Sequence, residues 1–314
     1  MKRRKFIQQT SLTSLAISTG LVACNQDKIK SSASKMASKG LNISLAQWSL
    51  NKQFFDKTLD PNNFAQITKS SFDISAIEYV NQFYVEHGTD EKFWNEMKRK
   101  ADNEGVQSLL IMVDDEGDLG DPDDEARKKS VQNHYKWVNA AKLLACHSIR
   151  VNAFGEGTKD ELAKSLEDGL ARLAEYAAKE NINVLIENHG LQSSDAAWIV
   201  QRIKNINAPN LGTLPDFGNW CTSVKWGSMH DDNCENLYDI YKGVSEFMPY
   251  AKGVSAKSYD FNEDGEESNI DYGRMISLVK KTGFNGFIGI EYEGNSLSET
   301  DGIKATKKLI EKHI

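Results

Sequence analysis

The feature that most constrains this chain of 314 residues is a series of eight short aliphatic runs, separated by segments with an apolar stripe at helical spacing. Eight strand–helix units in one chain predict a single-domain α/β fold, the (β/α)8 TIM barrel, over residues 41–314. A doubly wound open sheet is disfavoured because no glycine-rich phosphate-binding turn follows the first run. The predicted strands cover residues 43–48, 75–80, 106–113, 148–153, 183–188, 211–217, 253–257 and 287–292.

Several of these runs end in a charged side chain. The segment "NVLIENHG" passes from a buried run directly into Glu187, and Asp216 and Glu291 take the same place in the sixth and eighth runs. Any one of them alone would more often be a salt-bridged residue of the rim, since burying an unpaired carboxylate is costly. In a barrel, however, the carboxyl ends of all strands meet at the mouth. Their coincidence indicates a divalent-metal or sugar site, with Glu78 and Asn152 at two further strand ends.

The segments "IENHG", "PDFGN" and "IGIEYEG" together resemble the xylose isomerase-like barrel superfamily, and the resemblance covers essentially residues 41–314. This group includes sugar and sugar-phosphate isomerases and epimerases. The resemblance implies that Glu187, Asp216 and Glu291 bind one divalent metal ion, such as Mn, Mg, Co or Zn. It also implies that the two glutamates move a proton between adjacent sugar carbons.

The seventh run departs from the family pattern, which typically has His-x-Lys there. This chain has Ser255 in place of the histidine and retains Lys257, and a hydroxyl is a poor substitute for imidazole as a metal ligand. Three explanations stay open. His189 can supply the nitrogen, because it lies two residues after Glu187 and therefore on the same strand face. Alternatively, three carboxylates and water hold the metal, or the metal is lost and the Lys257 ammonium supplies the positive charge.

A further set of polar and aromatic residues near the strand ends is expected to bind substrate. Each has a structural alternative: the histidine can cap a backbone group, the asparagines favour turns, and a tryptophan can simply pack the mouth. Trp220, like Trp48, can stack on a sugar face or only pack the barrel mouth. The candidates are His189, Asn188, Asn219, Trp48, Glu78 and Asn152.

Three cysteines lie within the predicted barrel. Cys221 and Cys234 bracket a loop of 12 residues and can form a disulfide in an oxidising compartment, or remain two free thiols. Cys146 follows an apolar helical pattern and is expected to be a buried thiol. None of these spacings is typical of a zinc site.

The first 23 residues are interpreted as a signal peptide rather than as part of the fold. "RRKF" resembles a twin-arginine export signal, a short apolar stretch follows, and "LVAC" matches a lipobox. Cys24 is then the lipidated mature N-terminus, and residues 24–40 form a polar tether. Because Asn25 rather than aspartate follows the cysteine, we expect an exported protein anchored by its lipid on the periplasmic face, in the outer membrane. The alternative is a basic tail with an accidental cysteine.

The charge balance excludes one class of function. The formal net charge is −7, and removing the four basic residues of the first 23 leaves 34 basic against 45 acidic residues. A mature chain this acidic lacks the positive charge that phosphate neutralisation requires. With only six histidines as well, the chain is not expected to be a multi-zinc nuclease or to bind nucleic acid.

We therefore expect a metal-assisted isomerase or epimerase that acts on a small sugar or sugar derivative, such as a keto-glycoside, by proton transfer next to a carbonyl. A lyase that uses the same proton abstraction is a close variant. The alternative, motivated by Ser255, is a noncatalytic carbohydrate-binding lipoprotein on the same barrel.

Overall fold

The computed structural model describes residues 40–314 and confirms the (β/α)8 barrel. All strands are parallel, and their order is β6-β5-β4-β3-β2-β1-β8-β7. The predicted signal peptide, Cys24 and the tether up to residue 39 lie outside the described residues. The strands are β1 (Asn42–Ala46), β2 (Ala76–Val80), β3 (Gln107–Val113), β4 (Ser148–Val151), β5 (Asn183–Glu187), β6 (Leu211–Leu214), β7 (Val254–Ser258) and β8 (Phe287–Tyr292).

The last gap of the barrel, between β6 and β7, is closed by single bridges instead of a continuous ladder. Strand β6 ends at Leu214, earlier than the predicted residue 217, because Pro215 has no N–H to donate. Ser255 donates its N–H to the Pro215 carbonyl at 2.9 Å and accepts from the Phe217 N–H at 3.1 Å. These bonds pair Asp216 with Ser255 and hold both at the mouth.

Helices surround the barrel and begin at polar capping residues. Asp90, Asp123, Thr158 and Asp195 each accept a backbone N–H in the first turn of the helix that follows them, and Thr158 forms a reciprocal capping box with Glu161. None of the helices in residues 40–314 is long and apolar enough to cross a membrane. The helices are α1 (Asn51–Phe55), α2 (Phe64–Phe72), α3 (Glu91–Asn103), α4 (Asp124–Leu143), α5 (Lys159–Lys179), α6 (Ala196–Ile206), α7 (Ile240–Phe247), α8 (Tyr272–Lys281) and α9 (Glu299–His313).

The two faces of each strand are buried in different surroundings. Outward side chains such as Val184 and Ile186 join a large apolar core between the sheet and the helices. Inward side chains such as Leu185 belong to a much smaller apolar cluster inside the barrel. Because side chains alternate along a strand, Glu187 shares the inward face with Leu185. The strand pattern thus aims this carboxylate into the barrel interior.

The cysteines of the barrel differ in state. Cys221 and Cys234 form a disulfide with a Cα–Cα distance of 5.9 Å, and it closes the loop that follows β6. Cys146 is a free and buried thiol. The disulfide therefore ties together the two ends of a loop at the mouth of the barrel.

Candidate active site

Three carboxylates from different strands converge at the mouth. Glu187 ends β5, Asp216 follows β6, and Glu291 lies in β8. Each is buried, with at most 4% of its surface exposed, and each offers an oxygen within 4.8 Å of the others. Within residues 40–314, these three carboxylates are close enough together to share one metal ion, and no other group of three or more acidic, histidine or cysteine side chains is.

Ser255 lies between two of these carboxylates. Its Oγ is 2.6 Å from Asp216 Oδ2 and 2.7 Å from Glu291 Oε2. A hydroxyl has one proton to donate, so it cannot donate to both carboxylates at once. Burial raises the pKa of Asp216 to about 7, against the opposing effects of the nearby Lys257 charge and the Ser255 hydroxyl. Ser255 therefore lies as a hydrogen-bonding bridge between two carboxyl groups.

Arg150 of β4 neutralises part of this negative charge. Its Nε lies 2.7 Å from Glu187 Oε2, and its Nη1 lies 2.6 Å from Asp114 Oδ1. The Nε contact is an ion pair without hydrogen-bond alignment, since neither of its atoms has a hydrogen-bond partner. Burial raises the pKa of Glu187 well above its usual range, and the charges of Glu291 and Asp216 add to this effect while Arg150 opposes it.

Lys257 supplies the second buried positive charge. Its Nζ lies 3.0 Å from Glu293 Oε1 and 3.4 Å from Glu291 Oε1, and the side chain is 1% exposed. Burial by itself would lower the pKa of Lys257, but Glu291, Glu293 and Asp216 together raise it well above its ordinary value. The side chain is therefore an ammonium ion at neutral pH.

His189 does not join the three carboxylates, although the sequence suggested it as a metal ligand. Its Nδ1 lies 2.7 Å from Asn152 Oδ1, and the Asn152 amide donates through Nδ2 to Asp114 Oδ1 at 2.7 Å. Asp114 thus turns the amide oxygen towards the ring, so His189 carries its proton on Nδ1. The side-chain amide of Asn152 is used for this orientation, and Nε2 of His189 is left as an acceptor.

Two of the expected substrate-binding residues are buried away from the mouth cavity. The Asn188 amide donates to the Asp216 carbonyl at 3.0 Å and accepts from the Asp216 N–H at 2.8 Å, which fixes the turn after β6. Glu78 lies in the middle of β2, where its Oε1 accepts from Ser44 Oγ at 2.6 Å. Neither side chain lines the cavity, so their assignment as substrate-binding residues stays a prediction.

A cavity of about 250 Å³ opens beside the carboxylates. Glu291, Arg150 and Lys257 line its charged part, together with His189. Asn219 also lines it, and its side-chain Nδ2 is buried without a hydrogen-bond partner. A ligand oxygen could therefore accept from this amide.

Two tryptophans form the aromatic walls of this cavity. Trp48, which the sequence pointed to, lies in a short 3-10 helix directly after β1. The other is Trp226, which sequence reasoning missed. Trp220 is instead fully buried against Phe247 and Tyr238 and only packs.

Sequence reasoning also missed Arg150 and Asp114. For both residues, the sequence pattern could have predicted a position inside the barrel or at its mouth. Arg150 is a charge inside an aliphatic run and lies two residues before Asn152, so strand alternation places both on the inward face. Asp114 directly follows β3, as Glu187 ends β5. Trp226 had no such signal, because its position depends on the irregular loop closed by the disulfide.

The residues present fit a divalent cation. The donor set consists of carboxylate oxygens, which Mg²⁺ and Mn²⁺ prefer. Within residues 40–314, the three buried acids share two cationic side chains, Arg150 and Lys257, with two further carboxylates, Asp114 and Glu293. Glu187 Oε2 also lacks a hydrogen-bond donor although it is fully buried. A cation among these oxygens would offset most of the excess negative charge and satisfy that atom.

The fold and this strand-end carboxylate set define a class, the (β/α)8 barrels with a functional site at the carboxyl ends of their strands. The chain belongs to the xylose isomerase-like TIM barrel family, whose model matches residues 69–313.

Characterised relatives are distant. The chain is 36% identical to a C-glycoside deglycosidase alpha subunit from Arthrobacter globiformis over 66 residues, which are 20% of this chain and only 19% of that subunit. It is 20% identical to a 3'-dehydrocarminate deglycosidase alpha subunit from a Microbacterium species, over 67% of this chain and 75% of the relative.

Among solved structures, the chain is similar to a D-tagatose 3-epimerase-like protein, with a TM-score of 0.63 and 15% identity over 87% of this chain and 96% of the other. It is also similar to a 3-keto-D-glucoside 4-epimerase from E. coli, with a TM-score of 0.58 and 13% identity over 87% and 99% of the two chains. At these identities the likeness concerns the fold.

Proposed function

We propose that this protein is a sugar isomerase or epimerase that transfers a proton at a carbon next to a carbonyl group, with a divalent cation held by Glu187, Asp216 and Glu291. The observation that carries the proposal is the convergence of these three buried carboxylates beside a cavity lined by two buried, positively charged side chains, Arg150 and Lys257. The E. coli neighbour, a 3-keto-D-glucoside 4-epimerase, supports a keto-sugar or keto-glycoside as the substrate class.

The two glutamates have complementary places for proton transfer. Glu187 comes from β5 and Glu291 from β8. Glu291 lines the cavity, and Glu187 offers an oxygen within 4.8 Å of it. In the proposed reaction one glutamate removes the proton next to the carbonyl and the other returns a proton to another face or carbon.

Positive charge at the cavity stabilises the enediolate formed when the proton leaves. Lys257 remains an ammonium ion and lines the cavity, so it can donate to the developing oxyanion. Arg150 holds Glu187 in place from one side. When bound at the three carboxylates, the cation would polarise the substrate carbonyl as a Lewis acid.

The test is solvent proton exchange. The full-length protein is first analysed for bound metal. It is then incubated in D₂O with a panel of keto- and aldo-sugars and keto-glycosides, and deuterium next to the carbonyl is followed by NMR. We expect exchange and a new epimer or isomer with one substrate class, loss of both in Glu187→Gln and Glu291→Gln, and loss on chelation. Saturable sugar binding with no exchange in the wild type would instead favour the noncatalytic alternative.

A lyase is the second candidate, and the deglycosidase relatives favour it. The same proton is removed from the carbon next to the carbonyl. The bond from the adjacent carbon to the leaving oxygen or carbon then breaks, and the leaving group takes the electron pair and a proton. Release of the aglycone from a keto-glycoside, with an unsaturated ketone as co-product, would identify this reaction in the same experiment.

A further inference from the structure

A second cavity adjoins the active-site cavity. It also has a volume of about 250 Å³, and Trp226 lines both. Asn152 lines the second cavity, while its hydrogen-bond partners His189 and Asp114 line the first. The two spaces therefore meet along this indole ring and this hydrogen-bonded chain of side chains.

A buried histidine lines the second cavity. His134 is 3% exposed, and its Nδ1 donates to the Ser130 carbonyl at 2.8 Å. The proton is therefore on Nδ1, and Nε2 is an acceptor on a ring that lines the cavity. Asp118 contributes further acceptor oxygens. These groups suit a ligand that presents several hydroxyl donors.

The opposite wall is aromatic. Phe154 and Trp226 meet edge to face with ring centroids 5.6 Å apart, and Lys225 Nζ lies 5.0 Å from each centroid. Apolar ring faces beside a few placed polar groups are the usual composition of a small-ligand site. A sugar ring matches both walls, because its C–H face is apolar and its hydroxyls project from the edge.

Size favours joint use of the two cavities. Sites that enclose a small ligand usually measure roughly 300–1,000 Å³. Each cavity alone is below that range, whereas together they reach roughly 500 Å³. A single monosaccharide would leave the second space and its acceptors unused.

We propose that the second cavity is a subsite for a second sugar ring, so that the substrate is a disaccharide or a comparable glycoside whose reacting ring occupies the carboxylate cavity. The inference rests on the proposed function for the identity of the first ring. Trp226 then contacts both rings at the glycosidic link.

Binding measurements on the full-length protein test this. The probes are methyl glucosides and the matching glucosyl disaccharides (maltose, cellobiose, sucrose and trehalose), each also in its singly oxidised keto form, with Kd measured by calorimetry. We expect at least one disaccharide to bind about tenfold more tightly than the methyl glucoside of the same ring, a difference of about 1.4 kcal/mol. In Asp118→Ala this advantage should fall to about threefold or less, with the methyl glucoside Kd unchanged.

Asp160→Ala, at an exposed aspartate in the first turn of α5, is the matched control and should keep the full disaccharide advantage. Equal affinity for methyl glucosides and disaccharides would overturn the subsite while leaving the proposed proton transfer intact. Deuterium exchange that fails with every sugar, combined with preserved disaccharide preference, would overturn the proposed function but not the subsite. Absence of binding by all probes would also reject the subsite.

Discussion

Two neighbouring residues of β5, Ile186 and Glu187, are buried to the same degree yet belong to different regions of the molecule. Ile186 is 0% exposed and packs in the apolar core between sheet and helices, whereas Glu187 is 1% exposed and faces Arg150 inside the barrel. Burial alone therefore does not separate them. The direction of the side chain does, and one step along a strand reverses it.

The same division runs through β4 and β7. Ile149 and Val151 join the outer core while Arg150 between them points inward, and Ala256 joins the outer core while Lys257 points inward. Outward positions hold the barrel together and inward positions near the mouth carry the charges. Substitutions on the two faces should therefore affect different measurable quantities.

The sharpest test compares Glu187→Gln with Ile186→Ala. Glu187→Gln removes a group that transfers the proton, so kcat/KM should fall on the order of 10³-fold, with little change in the free energy of unfolding because Arg150 keeps its contact with Asp114. Ile186→Ala leaves a cavity in the outer core and should cost about 2–5 kcal/mol of stability, with kinetics near wild type.

Urea denaturation and steady-state kinetics on both variants make this comparison. Proportional losses of activity and stability in each variant would contradict the division between the two faces. Normal turnover by Glu187→Gln would remove its catalytic role.

Lys257→Met gives the next largest effect. The substitution keeps a similar volume but removes the ammonium at the cavity, so kcat should fall by about 10²–10³-fold. Lys257→Arg retains the charge but replaces the compact ammonium with a larger, planar guanidinium group. We therefore expect its kcat to be reduced as well.

Lys242→Met, at an exposed lysine of α7 that pairs with Glu246, is the matched control and should turn over normally. Circular dichroism checks that each protein is folded. Wild-type kcat in Lys257→Met would eliminate the lysine as an electrostatic catalyst, whatever metal the protein binds.

The division between faces also explains how far the sequence could be interpreted. Strand positions and the convergence of Glu187, Asp216 and Glu291 were predictable because period-two alternation and parallel strand direction leave few alternatives. The depth of a side chain along the barrel axis was not, because register with neighbouring strands sets it. Glu78, for example, pairs in register with Leu110 in β3 and Ala46 in β1, which keeps it below the cavity.

Loop residues were the least predictable. His189 lies beyond the end of β5, so strand alternation no longer fixes its direction, and Asn152 and Asp114 orient it instead. Trp226 adopts a positive φ of 71° in the loop closed by the disulfide. Neither position follows from local pattern, because both depend on partners distant in sequence.

Glu78 provides the smallest and most specific test. Its carboxyl group lies inside the barrel, but it belongs neither to the outer apolar core nor to the cavity lining. Burial raises its pKa from 4.5 to about 7, while the bond from Ser44 opposes the shift. The folded state thus binds this proton more tightly than the unfolded chain does. Stability from this group is present at low pH and is lost as pH rises from about 4.5 to about 7.

Glu78→Gln keeps the shape of the neutral acid but cannot ionise. Relative to wild type, it should be equally stable at acidic pH and more stable at alkaline pH, by up to roughly 3 kcal/mol. Urea denaturation of both proteins across this range measures the difference, in which titrating groups that do not interact with Glu78 cancel. Ser44→Ala removes the donor to the carboxylate, so it should widen the pH dependence that Glu78→Gln abolishes. Parallel stability profiles for wild type and Glu78→Gln would mean that Glu78 titrates normally, and that the barrel interior beneath the mouth accommodates a charge without cost.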